Sequence, residues 1–257
     1  MKTKHLVLTL LAGLTLSGAA QAALIDRGGG LIYDDVLNIT WLQDANLAAS
    51  NTFGLAYNTN LGNHPDDSWA ANYNEVISTN GRMTWGAALH WIDAMNAANY
   101  LGYDDWRLPT LNASDTTCSD NFDPGSGFPL QYGGTGCTGG ELSHLLVADL
   151  GNKAIESVLN QAGDTAEQIA NLALFTNLQS NVYWSGLEYA PNTSGAWYFD
   201  ATVGYQNLNY KYYDFYAWAV RPGDVAAAPA PSGVPEPGTV GLLALGLLGL
   251  GLARRRG

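Results

Sequence analysis

The stretch MTWGAALHWIDAMNAANYLGYDDWRLPT, residues 83–110, decides the fold because it joins a helix to the start of an extended segment. Thr84 is a suitable N-cap. Apolar residues follow it at helical spacing, at Trp85, Ala88, Leu89, Ile92 and Met95. Gly102 predicts the end of the helix, since glycine readily adopts the left-handed conformation. The pattern indicates a mostly buried helix.

The end of this stretch predicts a structural corner. Pro109 favours extended backbone at the residue before it. Trp106 has a large apolar surface to bury, and Arg107 offers a planar fork to a carboxylate or to backbone carbonyls. We therefore expect a buried tryptophan beside an arginine that holds a loop. A ligand-contacting role for the two side chains is the alternative.

Composition and charge exclude some classes of partner. The 257 residues carry a formal net charge of -12, and part of the positive charge lies in the terminal segments, at Lys2, Lys4 and residues 254–256. Phosphate binding requires clustered Lys and Arg, so nucleic acid is not an expected partner. Charged residues make up 13% of the chain, beside 8 Trp and 14 Tyr. This composition favours binding through stacking and neutral hydrogen bonds.

Both ends of the chain have the character of targeting segments. Lysines precede an apolar run, and Ala20-Gln21-Ala22 supplies small residues for a signal peptidase, which predicts a secretory signal at residues 1–22. A single globular domain is expected over 23–224. A Pro/Ala linker at 225–233 follows, and 234–257 combines an apolar run with a terminal arginine cluster. That run is short for a membrane span, so it predicts a marginal anchor.

Several segments predict strands. Residues 31–33 and 39–42 read as a hairpin. The aromatic segments 182–185, 196–200 and 215–221 read as three further strands, with a turn between the first two.

Both cysteines, Cys118 and Cys137, lie in a Gly, Asp, Ser and Thr-rich loop at 111–140. In an exported protein the simplest interpretation is a disulfide, which stabilises a fold by about 3 kcal/mol for a loop of this size. A redox or metal pair is the alternative, although Cys-x-x-Cys spacing and a nearby His are missing from this loop. A short helix is expected at 141–150.

The expected ligand-contacting residues lie in GYQNLNYKYYD, residues 204–214, which reads as a polar-aromatic loop or a ragged hairpin. Its tyrosines, Tyr205, Tyr210, Tyr212 and Tyr213, have rings that can stack on sugars. Core packing or surface decoration is the alternative.

The sequence does not predict a cofactor. Calcium is the one candidate that is kept for testing. Hard oxygen ligands are available in two sets, one of Asp115, Asp120 and Asp123 and the other of Asp200, Asn207, Asn209 and Asp214. EF-hand spacing is missing from both sets, and solvated acidic loops are the simpler interpretation.

The tail closely resembles the PEP-CTERM sorting signal, with Pro235-Glu236-Pro237, a glycine-rich apolar run and terminal arginines in order. The resemblance implies a Gram-negative protein exported across the inner membrane to the cell surface or beyond. It also implies an exosortase-type membrane protease as partner and at least transient anchoring through a C-terminal hydrophobic helix.

The body resembles the Lcl C-terminal domain family. The matching residues are Thr40-Trp41, Thr84-Trp85 with Ala88, Asp105-Trp106-Arg107-Leu108-Pro109, Glu141-Leu142 with Leu145, Tyr183-Trp184-Ser185, Ala196-Trp197 and Ala219-Val220-Arg221. The resemblance implies an α+β, C-type-lectin-like fold with a small twisted antiparallel sheet, a few helices and long loops. It also implies adhesion or glycan binding, with extracellular polysaccharide as the partner.

The expected function is therefore a non-catalytic binding domain on an exported protein. A structural matrix protein without a specific ligand is one alternative. An enzyme of the formylglycine-generating-like fold is another. Catalysis needs converging groups, whereas His64, His90 and His144 stand in unrelated sequence contexts.

Overall fold

A computed structural model describes residues 24–125 and 127–225. Its strands are β1 (Leu24–Gly28), β2 (Leu31–Asp34), β3 (Ile39–Leu42), β4 (Arg82–Met83), β5 (Asp120–Phe122), β6 (Gln131–Thr135), β7 (Val182–Glu188), β8 (Gly195–Asp200), β9 (Tyr205–Tyr210), β10 (Phe215–Tyr216) and β11 (Val220–Pro222). Its helices are α1 (Trp85–Ala97), α2 (Glu141–Ser143), which continues as a π-helix (His144–Asp149), and α3 (Ala166–Leu172). Short 3-10 turns cover Leu47–Ala49, Ala70–Asn72 and Tyr100–Gly102.

These elements form a sheet-rich α+β fold with few helices. Within the described ranges, no helix has both the length and the apolarity needed to cross a membrane. The predicted signal peptide, the sorting segment and the C-terminal hydrophobic helix lie outside the described residues, as does all of the predicted linker except Val225.

The smaller sheet brings the two ends of the described chain together. Its order is β1-β2-β3-β11, and all neighbouring strands are antiparallel. The hairpin predicted from residues 31–33 and 39–42 is confirmed as β2 paired with β3. Beside it, the Arg27 guanidinium donates two hydrogen bonds to the Asp224 carboxylate, at 2.9 and 2.6 Å. This ion pair ties the first strand to the segment after the last.

The larger sheet has the order β4-β10-β7-β8-β9-β6-β5. Its neighbours are antiparallel except β10 and β7, which run parallel with Tyr216 opposite Tyr183. The strands predicted at 182–185 and 196–200 are confirmed as β7 and β8. This sheet is larger than the small antiparallel sheet that was expected.

Residues 205–210 account for the larger size. They were expected to form a loop or ragged hairpin, but β9 pairs with β8 in regular register from Asp200 opposite Tyr205 to Gly195 opposite Tyr210. β6 then pairs with β9 on its other side. Sheet pairing overrode the low strand preference of the asparagines, because strand propensity depends strongly on the neighbouring strands.

The strand predicted at 215–221 is divided between the two sheets. Its first residues form β10 in the larger sheet, and its last residues begin β11 in the smaller one. Trp218 lies between them and is fully buried, with its ring centroid 5.2 Å from that of Trp41. Its indole N–H donates to the Leu42 carbonyl at 2.6 Å. A buried tryptophan therefore marks the point at which the chain passes from one sheet to the other.

The helix predicted within residues 83–110 is confirmed as α1. Its buried face consists of Trp85, Gly86, Ala87, Ala88, Trp91, Ile92 and Met95. Thr84 is the N-cap residue, but its hydroxyl accepts a hydrogen bond from the Val76 N–H at 3.0 Å rather than from the helix. Left-handed backbone begins at Asn99 (φ 46°), before the stop predicted at Gly102.

The corner after α1 is also confirmed. Trp106 is 2% exposed, and its backbone N–H and C=O both bond the side-chain amide of Asn96, at 2.8 and 2.9 Å. Arg107 exchanges two backbone hydrogen bonds with Val220, at 2.8 and 2.9 Å. The corner is thereby attached both to the helix and to β11.

Candidate binding site

Three of the four predicted tyrosines form an exposed aromatic surface. Tyr210, Tyr212 and Tyr213 are 50%, 44% and 45% exposed. The rings of Tyr210 and Tyr212 are stacked, with centroids 5.3 Å apart and planes 9° apart, and Tyr213 lies 4.9 Å from Tyr212. Trp69, from the long loop before α1, approaches Tyr212 with its ring centroid at 6.4 Å. We call Tyr210, Tyr212 and Tyr213 the tyrosine platform.

A shallow cleft of about 200 Å³ adjoins the platform. Tyr189, Asn192, Asn209 and Tyr210 line it, together with Ser194, Gly195 and Leu208. Exposed rings beside amide groups suit a ligand that has both an apolar face and hydroxyl groups.

Tyr205 does not belong to this surface. It lies at the opposite end of β9, opposite Asp200 of β8 and Thr135 of β6. Tyr210 lies five residue steps further along the strand, a distance of roughly 17 Å. The four tyrosines predicted as one group are therefore divided into a platform of three and a separate ring.

Lys211 fixes the turn that carries the tyrosine platform through buried contacts. It stands between Tyr210 and Tyr212 in the sequence, yet its side chain is fully buried. Its backbone N–H donates to the Ser194 carbonyl at 3.0 Å, and its carbonyl accepts from the Trp85 N–H at 3.0 Å. The turn that carries the tyrosines is thus fixed by buried contacts rather than by exposed ones.

The side chain of Lys211 ends in a buried polar cluster. Its Nζ lies 2.7 Å from Oδ1 of Asp67, 2.5 Å from Oε2 of Glu188 and 4.3 Å from the centroid of the Trp85 ring. Tyr73 donates its hydroxyl hydrogen to the other oxygen of Asp67. Burial raises the pKa of Tyr73 most strongly, and the Asp67 carboxylate raises it further. Sequence spacing does not predict this cluster, although a lone lysine amid tyrosines is a visible signal.

Every basic side chain between residues 24 and 225 is engaged in a hydrogen bond or ion pair. The pairs are Arg27 with Asp224, Arg82 with the Asp214 carbonyl, Arg107 with Glu141, Lys153 with Asp164, Lys211 with Asp67 and Glu188, and Arg221 with Asp105. The described surface therefore offers no unengaged cation to an anionic ligand.

The predicted disulfide between Cys118 and Cys137 is formed. Asp115 lies beside it and accepts hydrogen bonds from Thr117, Thr138 and Gly139. Burial alone would raise the pKa of Asp115, but these hydrogen bonds outweigh it and lower the pKa. The carboxylate is thus used to hold the disulfide loop.

The structure does not assemble the first predicted calcium set. Among the described residues, the only three His, Cys, Asp or Glu side chains close enough to share an ion are Asp115, Cys118 and Cys137, and both cysteines are in the disulfide. Asp120 bonds the Ser119 hydroxyl and Asp123 bonds a backbone N–H.

The second predicted calcium set is spread along strands and turns. Oδ1 of Asp200 accepts from the Thr202 N–H at 2.9 Å. Asn207 and Asn209 lie two residues apart on β9, and each side-chain oxygen accepts from the backbone N–H of the next residue. Asp214 lies beyond the platform, where its carbonyl binds Arg82.

A separate acidic cavity of about 250 Å³ lies beside the π-helix. Nδ1 of His144 is 3.3 Å from the Thr138 carbonyl, and Nε2 is 3.8 Å from Oδ1 of Asp149. Burial raises the pKa of Asp149 to about 7, against the opposing effect of His144. The π-helix places His144 against this buried carboxyl.

The other two histidines are not in unrelated contexts, contrary to expectation. The rings of His64 and His90 are in edge-to-face contact at 4.7 Å. Glu75 is fully buried beside them, with its carboxylate accepting from the His64 backbone N–H and lying 3.0 Å from Nε2 of His90. Burial raises the pKa of Glu75. The cluster fixes the long loop to α1.

Two features together indicate that this protein is exported. The disulfide is typical of an exported chain, and residues 233–256 match the PEP-CTERM protein-sorting motif. The motif indicates export, transient membrane anchoring through the C-terminal region and processing by an exosortase, which is a membrane protein. The matched residues include the predicted Pro235-Glu236-Pro237. No curated protein and no solved structure matches the chain.

Proposed function

We propose that the domain at residues 24–225 is a non-catalytic domain that binds a neutral extracellular polysaccharide on the tyrosine platform. The stacked, exposed rings of Tyr210 and Tyr212 are the observation that carries the proposal. The apolar face of a sugar can lie on these rings, while its hydroxyl groups meet the amides of Asn192 and Asn209 in the adjoining cleft.

The charge distribution supports a neutral ligand. The chain has a formal net charge of -12, and the basic residues of the described part are held in pairs. A sulfated or uronic polysaccharide would meet repulsion without compensating cations.

The fixed position of the platform also supports binding. An exposed aromatic surface on a mobile loop would lose conformational freedom when a ligand binds, which lowers affinity. Here the buried Lys211 and its backbone hydrogen bonds hold the turn before a ligand arrives.

The proposal extends to the fold and to the destination of the protein. The resemblance to the Lcl C-terminal domain family suggests a C-type-lectin-like arrangement and a role in adhesion. The cell surface or matrix of a Gram-negative bacterium is the proposed location. Calcium is kept as a variable in the experiment, because the acidic and amide side chains named above are oxygen ligands of the kind that calcium prefers.

Two alternatives are considered, and the first of them is an outcome of the test below. A structural matrix protein would carry the platform without a ligand. An enzyme of the formylglycine-generating type would need a reactive thiol, whereas the described residues contain no free cysteine. That observation supports the choice of a non-catalytic domain.

The experiment is an array of neutral and acidic bacterial polysaccharides probed with the purified protein, with calcium and with chelator. We expect binding to a neutral polysaccharide. Tyr212→Ala is expected to weaken it at least tenfold, which corresponds to about 1.4 kcal/mol and is typical of an aromatic anchor.

Tyr205→Ala is the matched control, because Tyr205 lies at the end of β9 that is farther from the platform. Binding that Tyr205→Ala weakens as much as Tyr212→Ala would place the site elsewhere. The absence of binding in both calcium conditions would favour the structural matrix protein.

A further inference from the structure

The cluster around Lys211 places a buried lysine amine between two carboxylates, which are the groups that an intramolecular amide bond requires. Nζ of Lys211 lies within 2.7 Å of Asp67 and 2.5 Å of Glu188. The side chains of Lys211 and Asp67 are both 0% exposed, and the Trp85 ring covers the amine. We propose that Lys211 and Asp67 are joined by an intramolecular isopeptide bond, with Glu188 accepting the proton of the amine. This proposal is independent of polysaccharide binding.

The burial of the pair favours the reaction. An ammonium and a carboxylate removed from water each lose their solvation, and their mutual attraction compensates for this loss only in part. Condensation replaces both charges by one neutral amide. Water, which would reverse the reaction, has little access to a pair without exposed surface.

The nearby groups provide for each proton. Glu188 takes one proton from the Lys211 ammonium, and the freed nitrogen lone pair attacks Cγ of Asp67. Glu188 then returns its proton to Oδ1 of Asp67, the oxygen that faces Nζ, and this oxygen takes a second proton from the nitrogen and departs as water. The third proton stays on the amide nitrogen. The overall change is therefore ammonium plus carboxylate to amide plus water, with no further reactant.

Tyr73 is placed to assist the addition step. Its hydroxyl donates to Oδ2 of Asp67, the oxygen that becomes the amide oxygen, and so stabilises the negative charge that develops there. Its own oxygen accepts from the Gly86 N–H at 3.0 Å, which holds the hydroxyl in position. Ser68 donates to Oε2 of Glu188 at 2.8 Å, which orients that carboxylate.

A second ion pair in the same domain provides an internal control. Lys153 contacts the Asp164 carboxylate, and Asp164 is 1% exposed. Lys153 is 37% exposed, however, and its other hydrogen bond goes to the Ala162 carbonyl rather than to a second carboxylate. Without a shielded amine and a proton acceptor, this pair should remain ionic.

The bond would link positions 144 residues apart in the sequence. It would fasten the long loop before α1, which carries Asp67 and Trp69, to the turn of the tyrosine platform. Such a link would suit a protein that works outside the cell, where a covalent bond resists unfolding and proteolysis.

Intact-mass spectrometry of the purified protein, reduced and denatured, tests the proposal. We expect a mass lower by one water than the sequence requires. A proteolytic digest should then contain a branched peptide that joins the Asp67 segment to the Lys211 segment. Lys153 and Asp164 should appear in separate linear peptides.

Glu188→Gln keeps the size of the side chain but removes the proton acceptor, so its product should show the full mass. Lys211→Arg should show the full mass as well. A wild-type protein of full mass, or a water lost at any other pair, overturns the proposal. The wild-type spectrum decides the question even if neither variant folds.

Discussion

Arg107 and Glu141 form a bidentate ion pair, in which Nη1 donates to Oε2 and Nη2 donates to Oε1, each at 2.6 Å. The Thr110 N–H donates to the same carboxylate at 2.8 Å. Because Arg107 also bonds the backbone of β11, this pair connects the corner after α1, the start of α2 and the end of the smaller sheet. The planar guanidinium of Arg107 thus binds a carboxylate that holds two segments of the chain together.

Replacing Glu141 by Gln should cost about 2 kcal/mol of stability near neutral pH, since hydrogen bonds to charged groups contribute about 1.5–3 kcal/mol. Burial would raise the pKa of Glu141, but Arg107 and Thr110 lower it below its usual value. The folded carboxyl therefore holds its proton less tightly than the unfolded one. Urea denaturation should show the cost at neutral pH and a smaller cost as acid protonates the wild-type carboxyl.

Asp104→Asn is the control for that series, because Asp104 is exposed. It should leave the free energy of unfolding nearly unchanged at each pH. A cost of Glu141→Gln that stayed constant down to the acid limit would contradict the assigned role of the pair.

Asp149→Asn should stabilise the protein above neutral pH. The folded pKa of about 7 exceeds the ordinary value, so the carboxyl favours folding in acid and this contribution disappears as the pH rises through about 7. A tenfold change in proton affinity corresponds to about 1.4 kcal/mol, so the gain in the free energy of unfolding is at most about 4 kcal/mol. Urea denaturation across the pH range should show the gain in alkali and little difference near pH 4. A gain independent of pH would contradict the prediction.

Loss of the Cys118–Cys137 disulfide should lower stability by about 3 kcal/mol, because the bond closes a loop with a separation of 19 residues. Thermal unfolding of the Cys118→Ser, Cys137→Ser double variant measures this loss. Reductant should lower the Tm of the wild-type protein and leave the double variant unchanged. An equal response of both proteins to reductant would show that the disulfide is not the cause.

Gly86→Ala should destabilise the fold by about 1–3 kcal/mol, the usual cost of overpacking. A Cβ at this position would lie 2.4 Å from the buried Glu75 carboxylate, against which α1 packs. Gly186→Ala is the control, since its nearest neighbour would be Leu108 at an ordinary 3.4 Å. Chemical denaturation should separate the two variants clearly, and equal costs would contradict the packing argument.

Local sequence patterns predicted much of the fold. The helical spacing after Thr84, the proline at the corner and the β-branched and aromatic residues of β2, β3, β7 and β8 are properties of neighbouring residues, so the sequence shows them directly. The disulfide also followed from composition, since two cysteines in an exported chain have few other uses.

The candidate site was predicted only in part. Tyr210, Tyr212 and Tyr213 were identified from their composition and proximity. The separation of Tyr205 from them depends on six residues pairing as β9, and the asparagines there obscured a strand pattern. The contact of Trp69 with Tyr212 joins remote segments, which periodicity does not reveal.

The sequence by itself indicated export and processing by an exosortase, through the matched motif at 233–256. It also determined helix α1 and the strands β2, β3, β7 and β8, because those depend on local spacing. Only the tertiary structure decided that Lys211 meets Asp67 and Glu188, and that the rings of His64 and His90 are in contact beside Glu75. Buried charges are held in place by partners from distant segments, and the distance between such partners is set by folding and not by their order in the chain.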